Sequence, residues 1–152
     1  MKKILHIQVL PKLSGAQKVS LDILRSLPTE YDKYILFGDL LDSGDKADCI
    51  KQFEKVGVKV LLLSELKREI CWNDIYAFWK IFKLCKKEKF DIVHTNSTKP
   101  GIIGRIAATL AGVPLVVQNS LQVNPFHLGN LYAAEQSFKY IICLYLIVCP
   151  IV

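Results

Sequence analysis

The sequence has cysteines but lacks any regular arrangement of them, and this argues against two kinds of structural framework. Its five cysteines are scattered along 152 residues without a C-x-x-C pair. An odd number of cysteines at irregular spacing argues against a disulfide scaffold and against a zinc site. We therefore expect reduced thiols, a cytoplasmic protein and no bound metal.

Long apolar segments of the kind that cross a membrane are also missing. The N-terminal MKKILHIQVL begins with lysines, but its apolar run is short, lacks a small-residue cleavage site and is followed by Pro11. The C-terminal YIICLYLIVCPIV has thirteen residues without a charge, whereas a transmembrane helix needs about 20. We interpret the first as a strand, and the second as a buried strand or a strand whose covering layer is absent.

Several motifs that would identify a reaction are absent. The segment PKLSGAQKVSLDIL has a single glycine, so neither G-x-G-x-x-G nor G-K-[ST] occurs, and no G-x-S-x-G or H-E-x-x-H is found. A dehydrogenase is therefore disfavoured, since only Asp39 could serve as the acidic residue that binds the cofactor ribose. Gly15 indicates either a tight turn with a helix cap or an anion site at a helix N-terminus.

Acidic residues are in the minority, which favours anionic partners. There are 20 Lys+Arg against 14 Asp+Glu, for a net charge of +6. The stretch WKIFKLCKKEKF carries five lysines, which we interpret as a solvated helix face or, alternatively, as a contact with an anionic membrane surface. Basic and aromatic residues do not interleave in the manner of RNA-binding proteins, so no nucleic acid is expected.

What the sequence does contain is an alternation of apolar runs and helical patterns. The runs fall at residues 3–10, 33–40, 58–66, 91–96, 114–120 and 144–150. They are nearly continuous in β-branched and aliphatic residues, as is typical of strands buried on both faces. This order predicts an α/β fold: a Rossmann-like, doubly wound parallel sheet with helices on both faces, forming one domain over 1–152.

Apolar residues at helical spacing predict the connecting helices. The patterns cover 19–27, 47–53, 75–82 and 103–110, with a fifth from 131 to about 140. Pro28, Gly57 and Gly112 are expected to end three of them, and Asn73 to cap the third. The third and fourth are marked by the apolar stripes Ile75, Phe78, Trp79, Phe82 and Ile103, Ile106, Ala107, Leu110.

Polar residues follow two of the predicted strands where each strand ends. His94 and Asn96 lie at the end of the fourth predicted strand, Ser97 follows it, and Asn119 lies at the end of the fifth. Ligands of doubly wound sheets bind beyond the carboxyl ends of the strands, so these side chains are candidate ligand contacts. His127 lies in the next loop and could either contact a ligand or order that loop.

The last third of the chain is poor in charge. Residues 101–152 contain only Arg105, Glu135 and Lys139. Such an apolar flank indicates an interface with a second domain, a subunit or a membrane.

Three segments together resemble a known family: MKKILHIQVLPKLSGAQKVSLDILRSL, DIVHTNSTKPGIIGRIAATLAGVPLVV and PFHLGN. They are similar to the amino-terminal domain of family 4 glycosyltransferases of the GT-B type, bacterial enzymes that build surface glycans. The resemblance runs from residue 1 to about 150. It implies one half of a GT-B fold, in which this domain mostly binds the acceptor and a carboxyl-terminal domain binds the nucleotide-sugar donor.

The resemblance also implies roles for individual residues. Gly15 and Ala16 would approach the donor phosphates, while Ser14 and Gln17 stand where the family usually has glycine and glutamate. The family often places a histidine near the reacting sugar, at a position where this sequence has Leu121.

With that position held by leucine, His127 becomes the candidate catalytic residue. His94, Asn96, Ser97 and Asn119 would line the acceptor side of the cleft.

The implied function is transfer of a sugar from a nucleotide-sugar donor to a lipid-linked or glycan acceptor, without a cofactor or metal. The enzyme would be cytoplasmic or peripheral at the inner face of the membrane. Because the chain stops at Val152, we expect the donor domain to be absent, and transfer to need that domain or a partner chain. The alternative, favoured by Leu121, is a non-catalytic Rossmann-like module that binds a nucleotide or a partner.

Overall fold

The computed structural model describes residues 1–38, 44–67, 72–96 and 98–119. Strands and helices alternate along this part of the chain. The elements are β1 (Lys2–Gln8), α1 (Gly15–Ser26), β2 (Tyr31–Gly38), α2 (Gly44–Lys55), β3 (Val58–Leu63), α3 (Asn73–Glu88), β4 (Ile92–Asn96), α4 (Thr98–Leu110) and β5 (Leu115–Asn119). The predicted helix at 131–140 and strand at 144–150 lie outside the described residues.

The five strands form one parallel sheet in the order β3-β2-β1-β4-β5. This confirms the predicted α/β, Rossmann-like architecture. The chain winds outward from β1 to β3, then crosses back to place β4 on the other side of β1. The strand order therefore reverses between β1 and β4, and in open α/β sheets the ligand crevice lies at that reversal.

Two helical layers cover the sheet. α1 and α2 bury one core with Ile4, Ile35 and Phe37 of the sheet, including Leu24 and Phe53 from the helices. On the opposite face, α3 and α4 bury a second core with Leu5, Ile7 and Val93. The alternation of Ile4 and Leu5 between the two cores shows that β1 is buried on both faces, as its uninterrupted apolar pattern indicates.

The helix ends agree largely with the residues that were expected to set them. Gly57 and Gly112 adopt positive φ angles of 75° and 80°, which glycine adopts without the steric cost of a side chain. Helix α1 ends at Ser26, just before Pro28. The expected cap at Asn73 is wrong by one position: Trp72 is the N-cap and Asn73 is the first helical residue.

The apolar stripes expected on α3 and α4 coincide only in part with their buried faces, since Phe78, Phe82, Ile103 and Ala107 pack in the second core. In α3 the sheet is contacted by Ala77, Ile81 and Cys85, whereas Ile75 and Trp79 are about half exposed. The reason is that α3 is apolar on two sides, and the side with smaller residues packs against the sheet.

Helix α4 shows the same difference, since Ile106 and Leu110 are exposed. A Cβ atom on Gly104 would lie 3.0 Å from side-chain carbons of Ile7 and Thr95, so the small residues of α4 allow close packing on the sheet.

Two further expectations concern thiols and the membrane. Cys49 and Cys85 are buried free cysteines, and burial raises the pKa of each thiol to about 11. Cys71, Cys143 and Cys149 lie outside the described residues. Within the described part of the chain, no helix combines the length and the apolar character that a membrane crossing requires.

Candidate functional site at the ends of strands β1 and β4

Four polar side chains meet where β1 and β4 lie side by side. His6 pairs in register with His94, and Gln8 and Asn96 follow two residues later on the same face of the sheet. All four are buried, with exposed fractions of 0, 2, 8 and 3 % for His6, Gln8, His94 and Asn96. Buried polar groups require hydrogen-bond partners, so their contacts define how the site is built.

Ser20 of α1 is the shared partner of three of them. Its Oγ lies 3.1 Å from Nδ1 of His6, 2.5 Å from Nε2 of Gln8 and 2.6 Å from Nδ2 of Asn96. Ser20 is itself fully buried. A single hydroxyl thus links the first helix to both central strands; we call His6, Gln8, Ser20, His94 and Asn96 the Ser20 cluster.

With the amides of Gln8 and Asn96 oriented as the structure has them, the hydrogen-bonding capacity of the Ser20 hydroxyl assigns the protons. Nε2 of Gln8 also donates to the carbonyl oxygen of Ala16 at 3.2 Å, which sets the orientation of that amide. The amides of Gln8 and Asn96 then donate to the two lone pairs of Ser20 Oγ. The Ser20 proton is left to donate to Nδ1 of His6, so neutral His6 carries its own proton on Nε2.

The two histidines form a close edge-to-face pair. Their Nδ1 atoms are 3.2 Å apart, and their rings are 4.4 Å apart between centroids at 77°. Burial lowers the pKa of His94 to about 4. Burial, and then repulsion from His94, lowers the pKa of His6 well below its ordinary value. Both rings are therefore neutral at neutral pH and offer hydrogen bonds but no positive charge.

The cluster still has unused hydrogen-bonding capacity. Nε2 of His6, Oε1 of Gln8 and Oδ1 of Asn96 are buried and have no partner among the described residues. One is a donor and two are acceptors, a combination that suits water or a hydroxyl group.

The turn before α1 is held by a pair of side chains. Ser14 Oγ donates to Oε1 of Gln17 at 2.5 Å, and Nε2 of Gln17 donates to the carbonyl oxygen of Leu10 at 3.0 Å. Gly15 follows directly as the first residue of α1, and a Cβ atom there would meet no other atom within 4 Å. The helix N-terminus is thus open at Gly15, where backbone N–H groups favour an anion.

The structure places the predicted site residues in different settings. Gly15 and Ala16 form the first turn of α1, while His94 and Asn96 lie inside the Ser20 cluster. Asn119 ends β5 opposite Asn96 in the strand register. Ser97, Leu121 and His127 lie outside the described residues.

Sequence reasoning missed His6, Gln8 and Ser20. The available signal was two polar residues at positions i and i+2 of an otherwise apolar strand.

Metal binding finds no support in the described ranges. They contain no group of three histidine, cysteine or carboxylate side chains arranged to hold a metal ion.

A parallel sheet whose strand order reverses between β1 and β4, with helices on both faces, defines a Rossmann-like domain. The model of Glycosyltransferase Family 4 matches residues 13–119, a range that includes the turn at Ser14 and all of β5. The chain belongs to this family.

One similar protein agrees with this family, and one solved structure agrees with the fold. Over 116 residues the chain is 44 % identical to the UDP-Gal:alpha-D-GlcNAc-diphosphoundecaprenol alpha-1,3-galactosyltransferase of Escherichia coli, covering 76 % of this chain. A crystal structure of a glycosyltransferase from Rickettsia africae superposes with a TM-score of 0.59 at 16 % identity, over 77 % of this chain. The chain spans 28 % of the length of the first protein and 29 % of the second.

Proposed function

We propose that this chain is the acceptor-side half of a sugar-transferring enzyme. A sugar would pass from a nucleotide-sugar donor to a hydroxyl group of a lipid-linked or glycan acceptor during synthesis of a surface polysaccharide. The observation that carries the proposal is the open α1 N-terminus at Gly15, which lies beside the Ser20 cluster at the strand reversal. The similar E. coli enzyme is named for a UDP-galactose donor and a diphosphoundecaprenol-linked acceptor, which supports both substrate classes.

The donor diphosphate would lie against the first turn of α1. Backbone N–H groups at Gly15 and Ala16 are not used within the helix, and the helix dipole adds a partial positive charge there. The absence of a side chain at Gly15 lets phosphate oxygens approach the backbone. The first turn of α1 contains no acidic residue that would repel them.

The acceptor would be bound at the ends of β4 and β5. Asn96 and Asn119 end these strands in register. In the sequence, His94 lies two residues before Asn96, and Ser97 follows it directly. In this proposal the acceptor hydroxyl oxygen bonds to the anomeric carbon, and the bond from that carbon to the donor phosphate oxygen breaks. The nucleoside diphosphate leaves, and the hydroxyl proton passes to its departing phosphate oxygen. His127 is our candidate for the residue beside the reacting sugar.

His94 is better suited to positioning than to proton transfer. A general base works best when its pKa is near the working pH, whereas burial lowers the pKa of His94 to about 4. The second candidate function, a module that binds a nucleotide or a partner without catalysis, is favoured instead by Leu121, which stands where the family often has a histidine.

Catalysis in this proposal requires a donor-binding domain that faces the described one across a cleft. It would be contributed by further sequence or by a partner chain, since transfer needs both substrates held together and shielded from water. A lipid-linked acceptor would place the enzyme as a peripheral protein on the cytoplasmic side of the membrane.

The test is a transfer assay with the chain joined to a donor-binding domain of the same family. UDP-galactose and a GlcNAc-diphospholipid are the first substrates to try. We expect Gly15→Val to lower kcat/KM at least about tenfold, because its side chain fills the space over the helix N-terminus. Ser26→Val, at the other end of α1, is the matched control and should transfer at the unaltered rate.

Equal rates for the two variants would exclude the phosphate site at Gly15. If calorimetry shows UDP-galactose binding but no sugar is transferred to any acceptor, the non-catalytic module is the better account.

A further inference from the structure

The outer surface of the α3 and α4 layer is unusually rich in exposed apolar side chains. Nine large hydrophobic side chains are exposed among the described residues, and seven of them belong to this layer. They are Trp72, Ile75, Tyr76, Trp79, Ile102, Ile106 and Leu110. Soluble proteins seldom expose contiguous apolar patches unless the patch binds something.

The remaining exposed residues of α3 are all basic. Besides its apolar residues, the exposed side of this helix presents Lys80, Lys83, Lys86 and Lys87. Lys80 is paired with Glu65 at 2.5 Å, which leaves the other three as the main source of positive charge. At 100° per residue, Trp72, Tyr76, Trp79 and these lysines fall on one side of the helix.

Few carboxylates lie at this surface, and Glu65 among them is paired with Lys80. The acidic residues of α3 are Asp74 and Glu88, both only partly exposed, and Glu88 forms an ion pair with Lys3 of β1 at 3.0 Å. Helix α4 contains no acidic residue. An aromatic and aliphatic surface with several lysines and few acids is complementary to the interface of an anionic bilayer.

The direction of α3 relates this surface to the candidate site. Because β3 and β4 are parallel, the helix that connects them must run back along the sheet, so Trp72 lies at the edge where the strands end. The lysines extend from there toward the opposite edge, with Lys87 about 22 Å from Trp72 along the helix axis. Tryptophan and tyrosine favour the headgroup boundary of a bilayer. Trp72 and Tyr76, in the first turns of α3, lie toward the same edge of the sheet as His94 and Asn96.

We propose that the outer face of α3 and α4 binds the surface of an anionic lipid bilayer, with Trp72, Tyr76 and Trp79 entering the headgroup region and Lys83, Lys86 and Lys87 contacting lipid phosphates. This extends the membrane contact that the proposed function assumes. Vesicle binding needs neither donor nor acceptor, however, so the two proposals can fail separately.

The protein carries its own reporter for the test. Trp72 and Trp79 are its two tryptophans, and both lie on the proposed surface, 85 % and 51 % exposed. Vesicles of phosphatidylcholine mixed with phosphatidylglycerol should shift the emission of the 152-residue chain to shorter wavelength, protect it from acrylamide and carry the protein upward in flotation. Vesicles of phosphatidylcholine alone should do so far less, and added salt should weaken binding.

The decisive comparison is between two charge-matched variants. Lys83→Gln/Lys87→Gln removes two charges from the proposed surface, and Lys51→Gln/Lys55→Gln removes two exposed charges from α2, on the other face of the sheet. At about fivefold per lysine, the first should weaken partitioning about 25-fold, and the second should leave it nearly unchanged. Trp79→Ser should weaken binding without changing the circular dichroism spectrum.

Other results would overturn the proposal. Equal loss in the two charge variants would mean that only net charge matters, and absence of binding at low salt would exclude a lipid surface. If the tryptophans are already protected from acrylamide without lipid, something else covers this surface. A dimer in ultracentrifugation would identify it as a second copy of the chain, and a monomer would identify it as the chain's own residues 120–152.

Discussion

Nδ1 of His94 lies 3.2 Å from Nδ1 of His6, across two adjacent strands whose residues are 88 positions apart in the sequence. Two protonated Nδ1 atoms at this distance would point their protons at each other, so the pair is compatible with neutral rings and not with two charged ones. Protonation of these histidines would therefore weaken the contact between the central strands β1 and β4.

Stability should fall as the pH is lowered below the ordinary histidine range. An unfolded histidine titrates near 6.5, whereas the pKa of folded His94 is about 4. Between these values the unfolded chain binds more protons, so acid favours unfolding. His94 alone should account for about 2 to 3 kcal/mol between about pH 7 and about pH 4.5, and His6 adds an effect of the same sign. Urea denaturation at the two pH values measures it.

The matching variant is His94→Gln, which keeps a polar side chain but cannot titrate. Its free energy of unfolding should depend less on pH in this window than that of the parent chain. An unchanged slope would show that the low pKa of His94 is not realised in the protein.

Removing the Ser20 hydroxyl should lower the free energy of unfolding far more than the loss of one small side-chain group normally does. Ser20→Ala leaves His6, Gln8 and Asn96 without their shared partner, and buried polar groups without partners cost about 1 to 3 kcal/mol each when they cannot relax. We expect a net loss of about 2 to 4 kcal/mol in the free energy of unfolding. Ser26→Ala is the control, because exposed Ser26 bonds the nearby carbonyl of Ile23 and should change stability by less than about 0.5 kcal/mol.

The glycines at positions 15 and 38 should respond in opposite ways to alanine. Gly15 has open space around it and lies in a helix, so Gly15→Ala should raise stability by up to about 1 kcal/mol. A Cβ atom at Gly38 would collide with the carbonyl oxygens of Leu66 and Val9, and Gly38→Ala should cost more than about 2 kcal/mol. Thermal unfolding of both variants checks this; a destabilised Gly15→Ala would mean that the turn is not open.

Replacing Gln17 with the residue usual in the family should weaken the turn before α1. Gln17→Glu keeps an acceptor for Ser14 but loses the N–H group that donates to the Leu10 carbonyl. Leaving the Leu10 carbonyl without its N–H donor lowers the free energy of unfolding by about 1 to 3 kcal/mol. A negative charge in the first helical turn raises it by about 0.3 to 1 kcal/mol. A net loss of about 1 kcal/mol is expected by urea denaturation. Gln52→Glu, exposed on α2, should be close to neutral; similar values for both would refute the role of the turn.

The fold could be predicted because its main signal is local. Apolar runs such as KILHIQVL and the helical patterns between them require strands buried on both faces, and this gave the parallel sheet that the structure shows. The faces of α3 and α4 were harder to predict. Spacing identifies an apolar stripe, but it does not reveal that Trp79 and Ile106 are left outside while Ala77 and Gly104 pack on the sheet.

The candidate site could be predicted only in outline. The polar strand end at His94 and Asn96 was visible in the sequence, and so was the glycine turn at Gly15. Their connection through Ser20 was not, because it depends on a helix residue 76 positions from Asn96. Ser14 and Gln17 replace the glycine and glutamate that are usual in the family. The structure shows that their side chains are hydrogen-bonded to each other.

The strand order also determines how the chain must be assembled during synthesis. Strand β1 is made first. Its pairing with β2, and the pairing of β2 with β3, need only residues up to Leu63. Its other side pairs with β4, which follows about thirty residues later. Until the ribosome has released β4, the future centre of the sheet is an unpaired edge, open to association with other chains. Pairing of His6 with His94 would close that edge.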